Sequence, residues 1–282
     1  VNTARPVVLT TIASTRAALA DREGVVLVPT MGALHAGHVA LVERAKQLGS
    51  PVVVSIFVNP LQFGASEDLD RYPRTLDADL ELLAGLGVDF VFAPTVDEMY
   101  PTGPSQTHVT AGGVGSLYEG RSRPGHFDGV LTVVAKLLGI VRPRHILFGQ
   151  KDAQQVFLVR RMVTDLNFDV AVHTVETVRE DSGLALSSRN RFLDAKEKRA
   201  ALGLSRALDA AASSADQGID AVVAAAQSAL MGESLVKLDY LKVVDPDTFL
   251  PVDDHFRGPA LAIIAASVGS TRLIDNETIY VS

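Results

Sequence analysis

The feature that most restricts the fold of this chain is a recurrence of short apolar runs, rich in Val and Ile, separated by stretches of helical periodicity. The runs cover residues 25–28, 51–58, 88–92, 145–148 and 169–175. The first is continuous rather than alternating in apolar character and the second nearly so, which fits strands buried on both faces. Helical spacing places Val42, Ala45 and Leu48 on one side of a first helix. It puts Val130, Val133, Val134, Leu137 and Leu138 at i, i+3, i+4, i+7 and i+8 of another. A further stretch carries Val156, Val159, Val163 and Leu166, and helices are expected over 74–86 and around 11–21. This alternation predicts a parallel sheet with helices on both faces, an α/β fold of Rossmann-like type.

The pattern changes after Val175. A polar loop over 177–190 leads into two Ala-rich helical stretches between about 195 and 230, followed by strands at 237–244 and 260–267. The chain therefore reads as two domains, 1–175 and a smaller α+β domain over 176–282. At 282 residues and 47% hydrophobic content it can bury the cores that both need.

In parallel sheets ligands bind beyond the carboxyl ends of the strands, so the turns there are where chemistry is expected. The first run stops at Pro29, and Thr30-Met31-Gly32-Ala33-Leu34-His35-Ala36-Gly37-His38 leads into a helix beginning near Ala36 or Gly37. The opening N–H groups of a helix lack intrahelical partners and carry the positive end of its dipole, a favourable place for phosphate. Gly32 and Gly37 would let a nucleotide approach the main chain. His35 and His38, three residues apart, could both donate to one anion; local physics equally allows two unrelated surface histidines. Zinc fits poorly, because no cysteine exists and no third ligand stands at suitable spacing. At later strand ends, Asn59-Pro60-Leu61-Gln62-Phe63 follows the second run and Gly149-Gln150-Lys151-Asp152 follows the fourth. Taken alone, Lys151 reads as a solvated charge and the 177–190 loop as a connector with a helix cap.

Composition removes several function classes. A net charge of −7 and a pI near 5.5 oppose non-specific nucleic-acid binding, which depends on Lys and Arg neutralising phosphates. Zero cysteines exclude disulfides, thiolate metal sites and cysteine nucleophiles. Neither a Walker loop nor a complete dinucleotide fingerprint is present. No signal-peptide pattern and no membrane-spanning apolar run is apparent, so a soluble cytoplasmic protein is expected.

The stretch from Pro29 to His38 resembles the His-x-Gly-His signature of the nucleotidylyltransferase superfamily and, in this longer form, the pantoate–β-alanine ligase family. Other segments support the resemblance in the family's order. Asn59-Pro60-Leu61-Gln62-Phe63 is similar to its substrate loop, and Glu119-Gly120-Arg121-Ser122-Arg123-Pro124-Gly125-His126-Phe127 to a second family motif. Gly149-Gln150-Lys151-Asp152-Ala153-Gln154-Gln155 is similar to Gly-Glu-Lys-Asp-x-Gln-Gln, departing at Gln150 and carrying a small Ala153 where an aromatic is common. The loop over 178–190, with Leu186, Ser187, Ser188 and Arg189, resembles the counterpart of the synthetases' Lys-Met-Ser-Lys-Ser loop.

The resemblance implies ATP-dependent joining of pantoate to β-alanine through a pantoyl adenylate, releasing AMP and diphosphate. It implies His35, His38 and Lys151 as catalytic groups. Its ATP set comprises those three together with Met31, Gly32, Ala33, Leu34, Ala36, Gly37, Gly149, Gln150, Asp152, Val178, Leu186, Ser187, Ser188 and Arg189. Its substrate set is Gln62, Gln155, Asn59, Arg123 and His126. ATP with Mg²⁺, no protein ligand for the metal, and a homodimer come with it, as does closure of the smaller domain over the ATP site. Another adenylyl-transferring enzyme of the superfamily, or a non-catalytic nucleotide-binding module, would share the His pair and the serines.

Overall fold

The computed structural model describes residues 5–64 and 69–282. The chain divides into two compact units, Val1–Gly149 with Leu158–Val175, and Gln150–Phe157 with Glu176–Ser282. The segment Gln150–Phe157 thus groups with the second unit, although it precedes the last strand of the first.

In the first unit, β1 (Val7–Leu9), α1 (Ile12–Leu19), β2 (Val26–Thr30), α2 (Ala36–Leu48), β3 (Val52–Ile56), α3 (Leu76–Leu86) and β4 (Phe90–Phe92) come first. The short α4 (Val96–Met99) and α5 (Glu119–Ser122), then α6 (His126–Val141), β5 (His145–Gly149), α7 (Ala153–Asp165), of which the part from Leu158 belongs to this unit, and β6 (Ala171–Val175) follow. The strands form one parallel sheet in the order β1-β4-β3-β2-β5-β6. Val26, Leu27, Val28, Val53, Val54 and Ile146 are buried, which is why their runs lack polar alternation.

Several sequence-based expectations need correction. The first strand does not stop at Pro29: β2 runs to Thr30, with Pro29 opposite Ser55 and Thr30 opposite Ile56. Strand β1 is not evident from the sequence, because three residues carry too little pattern and Val7 and Val8 are exposed at the sheet edge. In α7 the buried residues are Ala153, Gln154, Val156, Leu158, Val159 and Met162, whereas Leu166 lies beyond the helix end and is 51% exposed. Helix α6 is buried nearly all round rather than along one stripe.

The second unit holds α8 (Ala195–Ser213), α9 (Ile219–Leu230), β7 (Val236–Val244), β8 (Gly258–Val268) and β9 (Thr271–Val281). The three strands form an antiparallel sheet in that order. Buried Ala200, Ala201, Ala207, Ala211 and Ala226 keep the two helices thin where they join Ile264, Val268, Ile279 and Val281 in one core. Strand β9 escapes a reading by apolar pattern because Arg272, Asp275, Asn276 and Glu277 interrupt it. Among the described residues, no helix is long and apolar enough to cross a membrane.

Candidate active site

The turn between β2 and α2 is held by its own side chains and by one acid of α3. His35 is the N-cap of α2 and its Nδ1 accepts from the Gly37 N–H at 3.1 Å. His38 Nδ1 accepts in return from the His35 N–H at 3.2 Å. This is a capping box built from two imidazoles in place of the usual hydroxyl and carboxylate. Because both Nδ1 atoms accept, each neutral ring carries its proton on Nε2, and Nε2–H is the donor it can present to an anion. The ring centroids lie 4.2 Å apart. The spacing seen in the sequence therefore sets both the cap and the tautomer.

The glycines here serve the protein's own geometry. A Cβ on Gly37 would stand 2.9 Å from His35 Cε1, so only glycine lets the ring lie over its amide. Gly32 adopts φ +79°, and a Cβ there would stand 3.0 Å from Asp79 Oδ2. Ala33 follows at φ +51°, a conformation that costs a non-glycine residue about 1 kcal/mol or more and needs outside support. Asp79 of α3 supplies that support. Buried to 3% exposure, it accepts from the Ala33 N–H at 3.0 Å, the Leu34 N–H at 2.9 Å and the Thr75 hydroxyl at 3.2 Å.

Thr30 Oγ1 takes the Gly32 N–H, and the His38 N–H bonds the His35 carbonyl. The main-chain donors of Gly32, Ala33, Leu34, His35, Gly37 and His38 are thus spent inside the protein. The free helix amides expected from the sequence are not what this turn offers. Ala36 is the exposed first residue of the helix.

The loop after β3 meets this turn where Gln62 Nε2 contacts Met31 Sδ at 3.0 Å. Asn59 is 1% exposed, and its amide is fully used. Nδ2 donates to Gln62 Oε1 and to the Gly129 carbonyl, both at 3.1 Å. Oδ1 accepts from the Leu61 N–H at 3.3 Å and from the Tyr100 hydroxyl at 2.7 Å. Asn59 therefore holds Gln62 and has no capacity left for a substrate. Arg123 and His126 also converge on Gln62, at its main chain. The Gln62 carbonyl accepts from His126 Nδ1 at 2.8 Å and from Arg123 Nη2 at 3.4 Å. Arg123 Nη1 donates to His126 Nε2 at 3.0 Å. A carbonyl only accepts and a guanidinium only donates, so His126 is the Nδ1–H tautomer. Gly129 of α6 completes the arrangement: a Cβ there would overlap the Leu61 carbonyl and stand 2.7 Å from the Gln62 nitrogen.

Burial pushes the Tyr100 hydroxyl from the usual 10 up to about 12, so it remains a neutral donor to Asn59 at working pH. Its contribution to stability is fully present below pH 10 and is lost as pH rises through 12. The two-unit difference corresponds to about 2–3 kcal/mol. Tyr100→Phe is expected to flatten the fall in stability between those pH values, as measured by urea unfolding; an unchanged alkaline slope would place its cause elsewhere.

The other predicted donors lie in the second unit. Gly149 ends β5, and Gln150, Lys151 and Asp152 form a single 3-10 turn before α7, in which Gln155 is half-buried. The 177–190 loop is not a simple connector. Arg179 and Ala185 pair as an antiparallel bridge, the Leu186 N–H bonds the Val178 carbonyl at 2.9 Å, and Leu184 and Ala185 are buried. Ser187 then caps a 3-10 turn over Ser188–Phe192, its Oγ accepting from the Arg189 N–H at 3.2 Å, which leaves its O–H to donate. Arg179 donates to Asp275 at 2.6 and 3.1 Å. Burial alone disfavours its charge, but Asp275, with Glu277 and Asp209, outweighs this and holds the guanidinium above its ordinary range. Among the described residues no three His, Cys, Asp or Glu side chains group as metal ligands. Sequence reasoning missed Asp79, Tyr100, Gly129, Asp275 and Asn276; each acts on a distant segment, and Asp79 alone carried a hint, as an acid in a first helical turn.

Residues 7–278 match the model of the Pantoate-beta-alanine ligase family. The chain is 64% identical over 255 residues to the pantothenate synthetase of Leifsonia xyli subsp. xyli, covering 90% of this chain and 88% of that protein. The crystal structure of pantothenate synthetase from Thermus thermophilus superposes with a TM-score of 0.92 at 50% identity, covering 96% and 98% of the two chains. Pantoate-beta-alanine ligase from Francisella tularensis, crystallised with β,γ-ATP and β-alanine, superposes at 0.80 with 33% identity, covering 96% and 97%.

Proposed function

This chain belongs to the pantoate–β-alanine ligase family, and from that premise we propose how its own residues carry the reaction. The enzyme joins pantoate to β-alanine with ATP as co-substrate. The pantoate carboxylate attacks the α-phosphorus of ATP; an oxygen–phosphorus bond forms, the bond to the β-phosphate oxygen breaks, and diphosphate leaves. The amine of β-alanine then attacks the activated carbonyl, AMP departs, and the nitrogen loses a proton to give the amide.

The observation that carries this assignment is the meeting of Gln62 with Met31, which brings a neutral amide beside the two-imidazole turn. Asn59 fixes Gln62 Oε1, so Nε2 can donate to a hydroxyl or carboxylate oxygen without neutralising the nucleophile. The Nε2–H groups of His35 and His38 stabilise charge that develops on phosphate oxygens, and preorganised donors of this kind need no reorganisation during reaction. On the family resemblance, Lys151, Ser187, Ser188 and Arg189 are assigned as further donors to the nucleotide, Met31 and Val178 to the adenosine and Gln155 to the pantoate.

ATP would enter as its Mg²⁺ complex, the ion offsetting the charge of the phosphates. We place the enzyme in the cytoplasm as a homodimer.

Incubation with MgATP, pantoate and β-alanine is expected to release AMP only when pantoate is present; ADP as product would overturn the assignment. Gln62→Ala is expected to weaken pantoate by about 1–3 kcal/mol, the usual cost of leaving a polar partner unpaired. The ATP constant should be nearly unchanged, and equal losses for both substrates would remove Gln62 from the pantoate site.

A further inference from the structure

Strand β9 carries Asp275 and Asn276 in succession, 4% and 5% exposed. Successive strand residues face opposite sides, so the two side chains serve different segments. Asp275 takes the Arg179 guanidinium at the base of the loop that leads to Ser187. The Asn276 Nδ2 donates to the carbonyls of Gln150 and Lys151 at 3.0 and 2.9 Å, and its Oδ1 accepts from Gln150 Nε2 at 3.4 Å. A buried amide in a strand is costly unless its hydrogen bonds are made, and here both donors are spent on one three-residue turn. The same strand lies beside the Ser188–Phe192 turn.

We propose that Asn276 is a positioning residue for Lys151, an inference that rests on the role given to Lys151 above. By holding the carbonyls on either side of the Lys151 nitrogen and Cα, the amide sets the orientation of both peptide planes. It thereby sets the direction in which the side chain leaves the main chain. Only a group with two N–H donors can do this, because both partners are acceptors. Gln150 completes the clamp: its amide N–H faces Oδ1 and so selects the orientation in which Nδ2 meets the carbonyls. The attachment also places Lys151 in the second unit with Ser187, Ser188 and Arg189, so these donors share β9 as a common wall.

A double-mutant cycle in single-turnover adenylate formation tests this. Lys151→Ala alone is expected to slow the step by about 10²–10³-fold. Asn276→Ala alone should cost about 10–100-fold, since misplacement of a reacting group by about 1 Å has effects of that size. In the Lys151→Ala background, Asn276→Ala should cost less than about 3-fold, because neighbours acting through one group are not additive. Pantoate KM should stay within about 2-fold, as expected when only interactions of the transition state are lost.

Equal losses in both backgrounds would overturn the inference. Near wild-type activity in Lys151→Ala would overturn the role of Lys151 itself, a distinct result. Asn276→Asp keeps the shape and carries the test if the alanine variant does not fold. Its carboxylate faces two carbonyls, which favours the protonated form, and protonation restores one O–H donor. Relative to the parent, its rate should therefore recover as pH falls. A wild-type rate at every pH would refute the clamp.

Discussion

His35→Asn is expected to keep its folded stability while adenylate formation slows by about two to three orders of magnitude, the cost of removing a preorganised donor. Asparagine is among the best N-cap residues, so the Gly37 N–H keeps an acceptor and α2 keeps its start. The shorter amide does not reproduce Nε2–H, the group proposed to meet the phosphate. His38→Ala should show a comparable rate loss together with a small stability loss, because the His35 N–H then loses its acceptor. Thermal melting beside single-turnover adenylate formation separates these contributions. A His35→Asn enzyme that stays folded and retains the parent rate would reduce the imidazole to a helix cap.

Asp79→Asn should be nearly as damaging without any proposed contact to a substrate. The carboxylate accepts from the Ala33 N–H, the Leu34 N–H and the Thr75 hydroxyl. An amide of the same shape must turn its NH₂ towards at least one of these donors. Hydrogen bonds to a charged group contribute about 1.5–3 kcal/mol each, so a destabilisation of roughly 2–3 kcal/mol is expected. Ala33 holds φ +51° only while its N–H is anchored, and relaxation there would swing His35 out of register. A displacement of about 1 Å costs on the order of 10²-fold in rate. Denaturant unfolding gives the first quantity and adenylate formation at saturating ATP the second. Loss of stability at full rate would mean that the two imidazoles hold the turn by themselves.

Most of the parallel sheet was legible because burial on both faces leaves an unmistakable mark, as in Val52, Val53 and Val54. The mark fails where a strand is short and exposed, as at Val7 and Val8, or carries buried polar groups, as β9 does at Asp275 and Asn276. The start of α2 was legible from Gly37 and the paired histidines. The fate of the turn's amides was not, because Asp79 lies 45 residues from Leu34.

The sequence by itself determined the strands and helices, through hydrophobic period, and the turn chemistry, through residues whose effects reach only three or four positions. His35 and His38 belong to this class, since a capping box is local. Tertiary structure alone decided which groups hold the candidate site residues in place: Asp79 on the histidine turn, Asn59 with Arg123 and His126 on Gln62, Asn276 on Lys151. A buried donor or acceptor must find a partner within about 3 Å, and folding, not sequence distance, determines which polar groups come that close.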